Sequence, residues 1–101
     1  MEVLRIDDLP DEPGEAAAQF YAEYRPRIAS LKASPITLVL PPADHRHADW
    51  RRAAVRDLAR ELAPARINMV AGQYGAAMDR TLAYLRTADG ITGQSFETAQ
   101  D

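Results

Sequence analysis

The chain contains no cysteine. That excludes disulfides, thiolate metal centres and thiol catalysis. Its five glycines, Gly14, Gly72, Gly75, Gly90 and Gly93, form neither G-x-G-x-x-G nor a P-loop. No dinucleotide or nucleotide cradle is therefore written in the sequence. No apolar run is long enough to cross a bilayer, and MEVLRIDDLP lacks a basic segment followed by a hydrophobic one. The expectation is a soluble, cytoplasmic protein with no membrane partner. A formal net charge of -3 argues against a nucleic-acid partner. With 101 residues the chain can bury one modest core, so residues 1–101 are read as a single domain.

What is present alternates in period. Glu2–Ile6 reads as a strand, and Asp7–Gly14 as a loop punctuated by Pro10, Pro13 and Gly14. Ala16, Phe20, Tyr24 and Ile28 recur every four residues, which predicts a helix over Glu15–Leu31 with a kink near Tyr24 ahead of Pro26. Ile36–Leu40, ITLVL, lies between Pro35 and Pro41-Pro42, as a strand buried on both faces would. A second helix is predicted from His47 to Ala63, with Trp50, Ala54, Leu58 and Leu62 as its stripe. Pro64 stops it, and Ile67–Ala71, INMVA, follows as a third strand. Ala76–Thr87 is a third helix with Met78, Leu82 and Leu85 turned inward. Ile91–Phe96 is a last short strand, and the tail is expected to fray within 97–101. Strands alternating with helices predict an α/β fold with a mainly parallel sheet.

Charge is uneven. Glu2, Asp7, Asp8, Asp11, Glu12 and Glu15 crowd the start, while Arg46, Arg51, Arg52, Arg56, Arg60 and Arg66 mark the middle. Solvated faces account for most of this; a contact between the two regions across protomers is the alternative.

Candidate chemistry gathers in one loop. Asp44, His45, His47 and Asp49 place imidazoles and carboxylates within six residues. An H-x-H pair in extended backbone can chelate zinc, but one such pair falls short of the ligands a site needs, and Asp at a helix start serves as an N-cap. His45, His47 and Asp49 are therefore the metal candidates, and no metal is expected. No Ser or Cys nucleophile stands near by. Gly72-Gln-Tyr-Gly75 joins a strand to a helix, where an anion can bind, although a plain turn is the simpler reading. Tyr21, Tyr24, Tyr74 and Tyr84 either line a pocket or sit at core margins.

Leu58–Pro64, LARELAP, followed by Arg66–Gly72, RINMVAG, resembles the helix-to-strand segment of the short-chain dehydrogenase/reductase family. Ala83–Phe96, AYLRTADGITGQSF, is similar to that family's closing segment. The resemblance implies a partial Rossmann-like domain of three layers, with about four strands and three helices. A complete family member needs more than twice this length, so only its C-terminal half is expected here. The family's Tyr-x-x-x-Lys pair falls on Asp44 and Ala48, and the link PPADHRH has no serine. The resemblance thus implies a scaffold with no enzymatic activity, no cofactor and no catalytic residue. Its expected role is an interaction or assembly module. The alternative is an accessory subunit that stabilises or regulates a full-length dehydrogenase. A stand-alone enzyme using His45, His47 and Asp49 ranks third. The family's dimers pack the two helices that correspond to Glu15–Leu31 and His47–Ala63. A homodimer is accordingly expected, with Phe20, Tyr24, Ile28, Trp50 and Ala53 as interface candidates. One sheet face, covered only by the third helix, is expected to be partly bare.

Overall fold

The computed structural model describes residues 1–98. Residues 99–101, part of the tail expected to fray, lie outside them.

Four strands form one parallel sheet in the order β1-β2-β3-β4: Glu2–Arg5, Ile36–Leu40, Ile67–Ala71 and Ser95–Glu97. The first predicted helix is a continuous rod of three parts. They are α1 (Pro13–Gln19), a π turn (Phe20–Tyr24) and α2 (Arg25–Ser30). Pro13 sits in the first turn, where its missing N–H costs nothing, so the helix begins two residues before the predicted start. The Glu12 carboxylate caps it, accepting from Gly14 N at 2.6 Å and Glu15 N at 3.2 Å. The π turn answers Pro26. A straight α-helix would carry a four-residue repeat about 40° round its surface at each step. The wider π turn rotates the chain back, so Ala16, Phe20, Tyr24 and Ile28 all stay buried.

After β2, a 3-10 turn at His45–His47 leads into α3 (Ala48–Leu62). α4 spans Ala76–Thr87. β4 is shorter and later than predicted because the buried side chain of Asn68 holds the segment before it. Asn68 Nδ2 donates to Ile91 O at 3.0 Å, and Asn68 Oδ1 accepts from Gln94 N at 3.1 Å. Glu97 closes β4, and Thr98 N donates to Ala71 O at 3.0 Å.

Helices cover both faces, so the architecture is a three-layer, Rossmann-like α/β arrangement. On one face Phe20, Tyr24, Ile28, Ala54, Val55 and Leu58 pack on Ile36, Leu38, Leu40, Ile67 and Met69. On the other, Met78 and Leu85 of α4 pack on Val39 and Val70. The sheet keeps growing in one direction while α4 changes sides. The β3–α4–β4 connection therefore has the opposite hand to the two before it, although parallel crossovers nearly always share one hand. The near face is already filled, so the apolar side of α4 has only the far face to bury.

The expectation of a partly bare face is corrected. Every residue of β2 and β3 is buried. α4 shields Val39 and Val70, and Thr37 Oγ1 donates to Met1 Sδ at 3.3 Å.

Candidate functional site

In a parallel sheet, ligands bind in the crevice outside the carboxyl ends of the strands. That edge carries the acidic β1–α1 loop, Pro41–His47 after β2, and the Gly72–Gly75 turn after β3.

His47 is its one buried imidazole, 7% exposed. His47 Nε2 lies 2.8 Å from Asp11 O, and Trp50 Nε1 donates to His47 Nδ1 at 2.9 Å. A carbonyl only accepts and an indole N–H only donates. The ring is therefore neutral, with its proton on Nε2, and neither nitrogen keeps a free lone pair. His45 and Asp49 are exposed. Among the described residues, no group of three or more metal-capable side chains assembles. The three metal candidates are thus not a set: His47 is a strut between the β1–α1 loop and α3.

Asp44 acts as the N-cap expected of it, accepting from Arg46 N at 3.0 Å. Hydrogen bonds from the Arg46 side chain, then from its backbone, hold the Asp44 carboxyl down at about 2.

Arg51 projects from the first turns of α3. It is 8% exposed, and its Nη1 donates to Pro41 O at 3.1 Å. Its Nε is buried with no partner. Burial pushes the guanidinium below its ordinary pKa, and the Glu97 charge opposes that. A pocket of about 380 Å³ adjoins it, lined also by Ala48, Arg52, Ala71, Ser95 and Glu97.

Three of the other basic residues of the middle, Arg46, Arg60 and Arg66, form ion pairs within the chain. Arg60 pairs with Asp57, Arg46 with Asp44, Arg66 with Asp89, and Arg25 of α2 with Glu61. The tyrosines are scattered and enclose no common pocket. Tyr21 donates to Asp57 at 3.2 Å, and Tyr24 is buried and donates to Asp8. Tyr74 stacks on Arg5 at 4.3 Å and donates to Asp7 at 3.3 Å, while Tyr84 is exposed on α4.

The interface candidates are relocated. Phe20 and Ile28 are 0% exposed and Tyr24 6%. Their four-residue stripe is the one the sheet buries, so it has no surface left for a second chain. Trp50 is half-buried against Phe20, ring centroids 5.5 Å apart, and Ala53 is half-buried.

The three β-to-α turns do not fit a dinucleotide pyrophosphate. The N-terminus of α1 already holds the Glu12 carboxylate, with Asp7, Asp8 and Asp11 on the loop before it. The turn before the α3 region is Pro41-Pro42-Ala43-Asp44, and Asp7 faces the Gly72–Gly75 turn through Tyr74.

Two residues escaped sequence reasoning. Asn68 lies inside the apolar run INMVA, and a polar residue in such a run is itself a signal that a backbone segment needs binding. Arg51 lies beside Trp50 in a string of surface arginines, and nothing in the spacing separates it from Arg52.

A family model described as SDR-like, short chain dehydrogenase-like protein, matches residues 4–98. No curated protein and no solved structure matches the chain.

Proposed function

The chain belongs to the short chain dehydrogenase-like family, and on that premise we propose that it is a non-catalytic module acting by self-association. The observation that carries this is the state of the carboxyl edge. Where the family resemblance puts its acid/base pair stand Asp44, bound to Arg46, and Ala48. The one buried imidazole near by has both nitrogens engaged. A proton relay needs a titratable group with an open position towards substrate. Ala48 has no titratable group, Asp44 is engaged by Arg46, and His47 has no free ring nitrogen.

The surface that suits a second copy is the outer side of the helical layer. Ala18 and Ala22 are exposed there beside Tyr21, with Ala53 half-buried on α3. Small residues let helices from two protomers approach closely, and a two-fold axis would pair the patch with itself. Light scattering at micromolar concentration tests this. The expected result is a dimer that Ala22→Arg converts to a folded monomer. A wild-type monomer, or a dimer indifferent to Ala22→Arg, contradicts it.

A further inference from the structure

Arg51 is the feature that neither the fold nor the proposed association explains. A cation that is nine-tenths buried normally has a carboxylate against it. Among the described residues Arg51 forms no ion pair; Nη1 rests on the Pro41 carbonyl, the guanidinium lies 5.8 Å from the Trp50 ring centroid, and Nε has no hydrogen-bond partner. Leaving a buried donor unmet is costly, and a cationic donor more so. A chain that keeps one there is holding it for something.

The surroundings agree on the sign of that something. The pocket of about 380 Å³ beside Arg51 lies between the first turns of α3 and the carboxyl ends of β3 and β4. Arg52 lines the same pocket and is exposed. α3 is 15 residues long and His47 at its N-cap makes no side-chain cap bond, so its first-turn N–H groups lie near the region, with Asp49 the acid set against the dipole there. Of the two acids on the pocket wall, Asp44 is already bound by Arg46. That leaves Glu97 against two arginines.

We propose that this pocket binds the oxyanion end of a small organic acid or phosphate ester. Nη1 is committed to Pro41 and Nε is sealed from solvent, so the Arg51 guanidinium meets an oxyanion in the pocket as a positive charge on its wall. Arg52 supplies a second positive charge, and Ser95 a hydroxyl. The pocket is several times larger than a bare oxyanion, so the charged group is the anchor and the rest of the molecule fills the space beside Ala48 and Ala71. Glu97 repels the ligand and sets a modest affinity. This inference is independent of whether the protein self-associates.

The test is a nitrogen–proton NMR titration of the whole chain with sodium phosphate and, separately, sodium acetate. Sodium chloride at matched ionic strength is the control. The expected result is saturable movement of the Arg51 Nε–H signal and of the Ala48 and Ser95 amides. The tighter of the two anions identifies the end group. Arg52→Ala should weaken binding about tenfold and Glu97→Gln should tighten it about threefold, as charge-assisted contacts of this kind do. Both substitutions are on exposed side chains, so the fold is kept, whereas Arg51→Lys replaces a buried guanidinium and is read only if its melting curve matches the wild type. Shifts no larger than those with chloride overturn the proposal. So does an affinity unchanged in both Arg52→Ala and Glu97→Gln.

Discussion

At the scale of single residues, His47 and Tyr24 put polar groups to structural use. His47 ties Asp11 to Trp50, so His47→Phe leaves the Trp50 indole N–H without its acceptor. The expected cost is about 1–3 kcal/mol, the usual penalty for a stranded donor. Urea unfolding followed by Trp50 emission would measure it. Tyr24 makes a pH prediction. Its hydrogen bond to Asp8, then burial, raises its pKa from 10.0 to about 12. Below pH 10 the phenol is neutral in both states. Above it the unfolded chain releases the proton while the folded chain keeps it, so the unfolded state binds fewer protons. Stability therefore falls as pH rises from 10 towards 12. Tyr24→Phe should flatten that fall. A smaller slope should remain from Tyr21, whose phenol burial and Asp57 also push up. Chemical denaturation at a series of alkaline pH values would show whether the two curves separate. Leu58, 1% exposed in the larger core, should cost about 2–5 kcal/mol on Leu58→Ala. An unchanged melting temperature would place the wrong face of α3 against the sheet.

At the scale of elements, much was legible. Apolar runs bounded by proline located β2 and β3 to the residue, because a strand buried on both faces needs an unbroken run. The spacing Ala16, Phe20, Tyr24, Ile28 gave the correct inward face, while Pro26 pointed to a disturbance without specifying its form. The repeat of four itself carries the missing information: it exceeds the α-helical period, and a π turn is what keeps it on one face. β4 was misplaced because its start is set by Asn68, a long-range contact that local pattern does not encode. Gly72 is another such position. A Cβ there would lie 1.9 Å from Thr98 Oγ1. Gly72→Ala should push the end of β4 off β3 and destabilise by about 1–3 kcal/mol, as overpacking does. Thr98→Gly in the same chain should restore most of the loss. Thermal melts of the single and double variants would check this, and a double variant no better than Gly72→Ala would contradict it.

At the scale of the whole molecule, the alternation of strands with helices foretold the parallel sheet, which runs in the order β1-β2-β3-β4, and the family resemblance implied the same Rossmann-like layering. The expected bare face was the main error of architecture, and its cause is physical. One helix suffices because Met78 and Leu85 form a single cluster with Val39 of β2 and Val70 of β3. Phe20, Tyr24 and Ile28 fell out of the interface set for a related reason: an amphipathic stripe says that a surface is buried, not which partner buries it, and here the sheet does. The site was the least legible part. The His45–His47 loop drew attention by residue type, yet three-dimensional pairing turned His47 into a strut and singled out Arg51, which its sequence context hides. What unites these observations, on the proposed reading, is a family scaffold with carboxylates at its turns and with Asp44 and Ala48 where the resemblance puts the acid/base pair. Calorimetry with NAD and with NADP tests that account most directly. It predicts no saturable heat for either cofactor, and micromolar binding of either one would contradict it.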